Sequence, residues 1–352
     1  MKRVLLAMSG GVDSSACAIL LKRQGYEVIG VTFDLLGNDS QKAIEDAKNV
    51  CSHLQIEHFV INLQETFKKQ VIDYFVESYK NNETPNPCIK CNKIIKFGEL
   101  YKQMKNYNCD YIATGHYAKV ENGVIKKSKA LGKDQTYVLY DILPEIIPYI
   151  IFPLANFESK EEIRNIVSSE GLEIANKKDS QEICFIPDND YKSYIGGVLP
   201  KGKIIKKDGT VLGKHNGIIN YTIGQRKGLG IAHKTPLYVI ELDQENNTVI
   251  VGEEADLYSD KLCFVDENFL VKESDEKIVL QNGQYYLEEI LQDVEAKIRY
   301  SAKPAKARID LKTRTVIFEE PQRAITPGQA VVFYKGDVLL GGAKIIKTKE
   351  KR

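Results

Sequence analysis

The chain has 352 residues, of which 43% are hydrophobic and 28% charged, and its formal net charge is +1. This length predicts two or three domains, each able to bury its own core. No apolar run reaches the ~20 residues of a membrane span, and the short apolar stretch after Met1-Lys2-Arg3 ends in a glycine-rich loop. We therefore expect a cytoplasmic protein with no membrane partner, whose seven cysteines are reduced thiols.

Strands and helices alternate through the first third of the chain. Short apolar runs predict strands at 3–8, 27–34, 57–63 and 110–116. Apolar residues at helical spacing predict helices at 14–24 and 41–54 and a further helix that ends near Tyr79. This alternation predicts an α/β domain, a doubly wound parallel sheet with helices on both faces and ligands at the carboxyl ends of its strands.

Beyond the first third of the chain, one more helix is predicted before the pattern changes. Ser159 and Glu162 form a capping-box sequence that predicts a helix at 160–170, and glycine becomes frequent after about residue 187. From about residue 264 onward strands alternate with turns, and Lys335-Gly336-Asp337 predicts a hairpin. We predict a catalytic domain at 1–195, a small mostly-β central domain at 196–263, and a C-terminal β-barrel at 264–352. Basic residues concentrated at 201–234 and 297–314 favour a polyanion partner.

A phosphate-binding loop is predicted where the first strand meets the first helix. Residues 9–15 read Ser-Gly-Gly-Val-Asp-Ser-Ser, so adjacent glycines, serine hydroxyls and a helix N-terminus all present donors to one point. Neither the Walker A sequence nor the dinucleotide fingerprint is present. The stretch resembles the PP-loop of the ATP-pyrophosphatase superfamily, which holds pyrophosphate while AMP is transferred to a carbonyl-type oxygen. The loop alone does not choose among the synthetases and tRNA-modifying enzymes of that superfamily.

Three of the cysteines, Cys88, Cys91 and Cys184, lie outside the apolar patterns that account for the other four. A zinc site at Cys88-x-x-Cys91 needs two more ligands, but the chain has no second C-x-x-C sequence and no H-x3–5-H sequence follows the motif. A dithiol redox pair needs a thioredoxin-like fold around the motif. The remaining interpretation is sulfur chemistry, in which a thiolate or persulfide attacks a carbonyl that AMP has activated.

Seven stretches, in this order along nearly the whole chain, resemble the tRNA-specific 2-thiouridylase family (tRNA-uridine 2-sulfurtransferases). They are 9–15, 84–97 (TPNPCIKCNKIIKF), 113–118 (ATGHYA), 133–140 (KDQTYVLY), 178–186 (KDSQEICFI), 221–231 (YTIGQRKGLGI) and 326–334 (TPGQAVVFY). The resemblance implies a PP-loop ATPase fold of the adenine nucleotide alpha hydrolase type. It also implies that ATP, with Mg²⁺, adenylates the C2 oxygen of the wobble uridine of tRNA, after which sulfur replaces that oxygen and AMP leaves.

By matching positions, the resemblance assigns roles to the three cysteines. Cys184 would carry a persulfide received from a cysteine desulfurase or a sulfur-relay protein. Cys91 would be the nucleophile that helps to release the sulfur, through a transient Cys91–Cys184 disulfide. Many family members have Asp at the position of Cys88, so Cys88 becomes an accessory thiol here. Three thiolates can also hold a 4Fe-4S cluster with one open iron, so persulfide and cluster delivery both stay open.

The resemblance further implies two sets of binding residues. ATP is expected at Ala7, Met8, Ser9, Gly10, Gly11, Val12, Asp13, Ser14, Phe33 and Gly115. Transfer RNA is expected at Asn86, Pro87, Cys88, His116, Lys133, Asp134, Gln135, Arg299, Tyr300 and Gln329. Phe33, His116 and Arg299 also fit purely structural roles. The competing hypotheses are another PP-loop synthetase acting on a small molecule, a non-catalytic RNA-binding protein, and a zinc-stabilised module.

Overall fold

A computed structural model describes residues 1–177, 183–186, 190–195, 200–271, 278–281, 284–287 and 290–347. Its N-terminal part contains the strands β1 (Arg3–Ala7), β2 (Glu27–Asp34), β3 (Glu57–Asn62), β4 (Tyr111–Ala113), β5 (Ala118–Glu121), β6 (Val124–Lys127) and β7 (Ile150–Ile151). Five of them form a sheet in the order β3-β2-β1-β4-β7, and every pairing in it is parallel. The predicted parallel sheet is therefore confirmed.

Helices cover both faces of this sheet. They are α1 (Val12–Arg23), α2 (Gln41–His53), α3 (Gln64–Phe67), α4 (Asp73–Lys80), α5 (Pro87–Cys91), α6 (Leu100–Asn106), α7 (Lys160–Ser169) and α8 (Tyr191–Ile195). Because side chains alternate along a strand, Val4 and Leu6 pack with α1, α2 and α7, while Leu5 packs on the opposite face with α6. The predicted capping box at Ser159 and Glu162 is present at the start of α7. The sheet is thus doubly wound, as the alternating pattern predicts.

Two stretches of the helical region are π-helical, at Lys68–Ile72 and at Asn92–Glu99. The second continues directly from α5 and leads into α6. Helical periodicity in the sequence does not distinguish a π-helix from an α-helix over so few residues. The difference matters at this place because it changes which side chains share a face with Cys91.

The remaining strands build a central sheet, a barrel and a separate two-stranded sheet. They are β8 (Gly202–Lys206), β9 (Val211–His215), β10 (Tyr238–Asp243), β11 (Thr248–Gly252), β12 (Tyr258–Phe269), β13 (Ile278–Gln281), β14 (Gln284–Leu287), β15 (Ile290–Lys297), β16 (Ala305–Asp310), β17 (Thr315–Arg323), β18 (Ala330–Lys335) and β19 (Val338–Ile346). The central sheet has the order β10-β11-β8-β9, and the two-stranded sheet is β13-β14. Strands β12-β17-β16-β15-β18-β19 close into a barrel because β19 also pairs with β12. The predicted barrel and its hairpin at Gly336 are confirmed.

The barrel is fused to the N-terminal part by a strand pairing that the sequence pattern did not reveal. The hairpin β5-β6 extends the barrel sheet through β19, with Lys126 opposite Val338. Tyr334 and Leu339 of the barrel are fully buried in the core on the α6 side of the parallel sheet. The two parts therefore share one hydrophobic core. The exact domain divisions at 195/196 and 263/264 stay predictions. In the described residues, no helix has the length and apolarity that a bilayer crossing requires.

Candidate active site

The predicted phosphate loop lies at the carboxyl end of β1, as expected for a ligand site in such a sheet. Gly10 has φ +64°, and a Cβ atom there would lie 2.3 Å from the carbonyl oxygen of Ala43, so only glycine fits. The Ser9 N–H donates to Ser14 Oγ at 3.2 Å, and Ser14 Oγ donates to the carbonyl oxygen of Gly11 at 3.0 Å. No side chain caps the first N–H groups of α1, which leaves them available to an anion.

Two lysines that sequence reasoning missed flank this loop. Lys160 Nζ donates to Asp13 Oδ2 at 2.7 Å, and Tyr117 OH donates to Asp13 Oδ1 at 2.9 Å. Lys177 Nζ donates to the carbonyl oxygen of Gly10 at 2.9 Å and to Asp46 Oδ2 at 2.6 Å. Both ammonium groups lie beside the uncapped end of α1, and each is paired with a carboxylate that offsets its charge.

Gly115 and Phe33 border the loop from the neighbouring strands. A Cβ atom at Gly115 would lie 3.1 Å from Asp13 Cβ and 3.3 Å from the Ser14 nitrogen, so the chain leaving β4 is pressed against the loop. Phe33 ends β2 half-buried and packs against two hydrophobic clusters. Its position fits both the adenine contact and the structural role, and the ATP contacts of the loop residues stay predictions.

Cys88 and Cys91 lie on α5, one helical turn apart. Asn86 caps the helix, since its Oδ1 accepts a hydrogen bond from the Cys88 N–H at 3.1 Å, and Pro87 occupies the first turn. Cys88 is exposed, whereas Cys91 is buried. The sequence Asn-Pro-Cys-x-x-Cys thus fixes the start of a short helix that presents one accessible and one sheltered thiol.

The segment at 183–186 brings Cys184 to the same place. Cys184 is exposed, but Phe185 and Ile186 are buried in the hydrophobic cluster that contains Cys91. The Phe185 ring contacts those of Phe67 and Phe75, with centroids 5.7 and 5.4 Å apart. Residues 178–182 of the same predicted motif lie outside the described residues. Cys184 and Cys88 also lie close enough to Cys91 to raise the pKa of its thiol. The three thiols therefore lie near one another, and their roles stay predictions.

Comparison with known proteins separates the sulfur chemistry from its competitors. Family models match residues 2–188 (tRNA methyl transferase HUP domain), 191–253 (tRNA methyl transferase PRC-barrel domain) and 275–345 (aminomethyltransferase beta-barrel domain). The tRNA-specific 2-thiouridylase MnmA of Clostridioides difficile is 45% identical, covering 99% of both chains. That of Clostridium kluyveri is 47% identical, covering 98% of this chain and 99% of the relative. This chain belongs to the tRNA-specific 2-thiouridylase family.

A solved 4-thiouridine synthetase–RNA complex with bound ATP is similar at a lower level. It is 20% identical over 52% of this chain and 45% of that chain, with a TM-score of 0.36. A likeness this distant supports no inference about the site.

The thiols do not form a preassembled metal site in the structure. Within the ranges that the structure describes, which include all three cysteines, no group of three His, Cys, Asp or Glu side chains is placed to hold a metal ion. The 4Fe-4S alternative and the structural zinc site therefore have no support in this geometry. The persulfide route stays a prediction.

Lys96 is the charged side chain that acts most widely on the thiols of this 2-thiouridylase. Burial raises the pKa of Cys91 to about 12, while Lys96 opposes that shift. Burial also raises the pKa of Cys184, which Lys96 again opposes, and burial followed by Lys96 lowers the pKa of His116 well below its usual value. A π-helix bonds residue i to residue i+5, so the π-helical stretch returns Lys96 to the side of Cys91. Sequence reasoning missed Lys96 because an α-helix would turn it away.

His116 lies deeper than the sequence suggested. It is 7% exposed, its Nδ1 shares a hydrogen bond of 2.8 Å with Thr114 Oγ1, and its ring lies 5.5 Å from that of Phe97. The alternative structural role of a satisfied strand-end histidine fits these contacts. Contact of His116 with tRNA stays a prediction.

Most of the other expected tRNA contacts are engaged inside the protein. Gln135 Oε1 accepts from the Tyr117 N–H at 2.9 Å, and Asp134 accepts from Thr136 Oγ1 at 2.6 Å. Gln329 and Arg299 also bond other parts of the chain. Lys133 and Tyr300 are exposed, and the Tyr300 ring lies 5.6 Å below Lys297 Nζ. The tRNA contacts of this set stay predictions.

Replacing Lys96 with methionine is expected to shift alkylation of Cys91 by iodoacetamide to higher pH. Only the thiolate reacts, so removing the cation that lowers the pKa of Cys91 slows the reaction at any fixed pH, about tenfold for each unit by which that pKa rises. The pH profile is measured by mass spectrometry in a variant with Cys88 and Cys184 replaced by serine. Lys93→Met is the matched control, since Lys93 pairs with Asp141 at 2.8 Å. Equal profiles for the two lysine variants would contradict the assignment.

Proposed function

We propose that this chain is an ATP-dependent tRNA-uridine 2-sulfurtransferase that thiolates C2 of the wobble uridine. The observation that carries the proposal is the pairing of a pyrophosphate-type loop with an exposed Cys184 and a buried Cys91 held around one hydrophobic cluster. The name shared by its relatives, which cover nearly the whole chain, supports it. A synthetase acting on a small molecule has no use for the thiols or for the basic surfaces.

The first half of the reaction makes the C2 oxygen a good leaving group. The loop at 9–15 holds the β- and γ-phosphates of ATP on the uncapped N–H groups of α1, with Lys160 and Lys177 beside it. The C2 oxygen attacks the α-phosphorus, the bond to the bridging oxygen breaks, and pyrophosphate leaves. Bound Mg²⁺ would neutralise charge on the phosphates. The base must be flipped from the anticodon stack to reach this site.

The second half replaces oxygen by sulfur. The terminal sulfur of a persulfide on Cys184 attacks C2, and AMP departs with the former C2 oxygen. The Cys91 sulfur then attacks Sγ of Cys184 and loses its proton. The bond to the transferred sulfur breaks, its electrons complete the C2=S group, and a proton returns to N3 of the base. A Cys91–Cys184 disulfide is left, and a thiol reductant restores both cysteines. Burial keeps Cys91 protonated in the free protein through its raised pKa, which protects the pair from early oxidation.

Two basic surfaces suit an RNA partner, and one of them is on the barrel, where Lys303, Lys306 and Arg308 are exposed. Arg226, Lys227 and Lys234 are exposed on the central part of the chain, in and beside the stretch that resembles the family motif at 221–231. Such side chains contact phosphates and position the RNA, whereas specificity comes from bases splayed out of single-stranded loops. A cysteine desulfurase or a sulfur-relay protein would supply the sulfur to the exposed Cys184.

The descriptions of the matching family models name methyl transfer rather than thiolation. Methyl transfer to a base needs neither an oxygen activated by ATP nor a pair of thiols. The loop and the cysteines therefore favour the activity in the relatives' name.

Purified protein is expected to convert unmodified tRNA to 2-thiouridine when given ATP, Mg²⁺ and a desulfurase with cysteine. Nucleoside mass spectrometry measures the product, and AMP and pyrophosphate should each form in equal amount to it. The same mixture with AMP in place of ATP is the control. If tRNA does not stimulate pyrophosphate release while a small-molecule acceptor does, the small-molecule synthetase hypothesis replaces this one.

A further inference from the structure

A turn of the barrel forms hydrogen bonds with the segment that leads into α5, the helix that carries Cys88 and Cys91. This docking turn, Thr326–Gln329, connects β17 to β18. The Thr84 N–H donates to the carbonyl oxygen of Pro327 at 2.9 Å, and Gln329 Nε2 donates to the carbonyl oxygen of Thr84 at 2.7 Å. Both backbone polar groups of Thr84 are therefore bound by the docking turn.

Gly328 allows this approach. It has φ +89°, and a Cβ atom there would lie 2.6 Å from Glu83 Cβ and 2.7 Å from the Thr84 nitrogen. No other residue brings the two backbones so close without moving one of them. Beside it, Lys344 Nζ lies 2.8 Å from Glu83 Oε2, which adds an ion pair to the same contact.

The docking turn is itself fixed by hydrogen bonds to Arg299 and to β19. Arg299 donates from one guanidinium nitrogen to Thr326 Oγ1 at 2.8 Å and to the carbonyl oxygen of Ala324. The Gly328 N–H donates to the carbonyl oxygen of Ile345 at 2.9 Å, and the Ile345 N–H donates to that of Gln329 at 2.8 Å. A turn braced on β19 in this way can impose a position on Thr84.

The segment that Thr84 begins leads directly into the thiol site. Asn86 caps α5 through the Cys88 N–H, and Cys91 lies one turn further on. The barrel does not need Gln329 in order to stay attached, because Tyr334 and Leu339 are already buried in the shared core. The side chain of Gln329 therefore fixes the position of the segment before α5, whereas the shared core attaches the barrel.

We propose that Gln329 is a positioning residue, which sets the placement of Cys88 and Cys91 by holding Thr84, and that Arg299 supports it through Thr326. The proposal deepens the proposed function, on which its catalytic readout rests. It gives these two residues of the barrel a role inside the protein that the resemblance does not imply.

Gln329→Glu tests the proposal, because glutamate keeps the size of the side chain but does not donate to the Thr84 carbonyl. We expect single-turnover thiolation to slow about three- to tenfold, the effect of one hydrogen bond, while the Kd for tRNA stays within about twofold. Without tRNA, the rate at which iodoacetamide alkylates Cys88 should change by a similar factor. Gln322→Glu is the matched control, since Gln322 Nε2 bonds Glu320 within β17, away from Thr84.

A weaker Kd for tRNA with an unchanged single-turnover rate would overturn the proposal and make Gln329 a tRNA contact. Unchanged values of all three quantities would overturn it as well. Gly328→Ala is a second variant, which should move Thr84 and produce a larger change in Cys88 alkylation. The alkylation experiment needs no tRNA, so it tests the positioning role of Gln329 independently of thiolation. If the wild-type protein made no 2-thiouridine, that result would refute only the proposed function.

Discussion

Replacing Cys91 with serine is expected to abolish 2-thiouridine formation, with a loss on the order of a thousandfold or more in single-turnover rate. A serine hydroxyl is nearly isosteric with the thiol, so the buried cluster around it should stay packed. The hydroxyl does not attack a sulfur–sulfur bond, so the transferred sulfur stays linked to Cys184. Nucleoside mass spectrometry of tRNA after one turnover gives the measurement.

Cys184→Ser should be equally inactive, but because it cannot carry the persulfide. Labelling with sulfur therefore distinguishes the two variants. With radiolabelled sulfur from a desulfurase, the Cys91→Ser protein should still become labelled, whereas Cys184→Ser should not. Cys263→Ser is the matched control, since Cys263 lies on β12 of the barrel, outside the cluster that contains Cys91. Thiolation by Cys91→Ser at more than about a tenth of the wild-type rate would contradict the nucleophile assignment.

The sequence patterns that proved most reliable were local ones. The strand β2, the loop between β1 and α1, and the capping box of α7 each depend on residues that are close in the sequence, so the local pattern alone predicted them. The pairing of β6 with β19 joins Lys126 to Val338, residues too far apart in the chain for any periodicity to connect. The fusion of the barrel to the N-terminal part therefore required the structure.

In the candidate site, too, local features could be predicted from the sequence and contacts between distant residues could not. The loop and the cysteines stood out because their residue types are unusual in those patterns, whereas Lys96, Lys160 and Lys177 look like ordinary solvated lysines on or near helices. Their importance arises from tertiary placement, such as the π-helical register that brings Lys96 to Cys91. The bond between Gln329 and Thr84 was equally out of reach of the sequence, because a polar side chain gives no sign of which acceptor it will meet.

Replacing Gly10 with alanine should eliminate ATP binding while leaving a folded protein, and Gly25 offers the control that makes the result interpretable. Both glycines have positive φ, +64° and +83°, so alanine costs about 1–2 kcal/mol of stability at either position. At Gly25 a Cβ atom meets nothing within 4 Å, but at Gly10 it would lie 2.3 Å from the carbonyl oxygen of Ala43. Thermal unfolding should show that both variants are folded, with Gly10→Ala destabilised further by its clash.

Relief of that clash at Gly10 requires the loop to move away from α2. The N–H groups before α1 then no longer converge, and Lys177, which bonds the Gly10 carbonyl, moves with them. Calorimetric titration with ATP should therefore show binding by Gly25→Ala and none by Gly10→Ala. If both variants bound ATP equally, the anion would have to be held by the lysines and serine hydroxyls, and the backbone of the loop would not be the phosphate site.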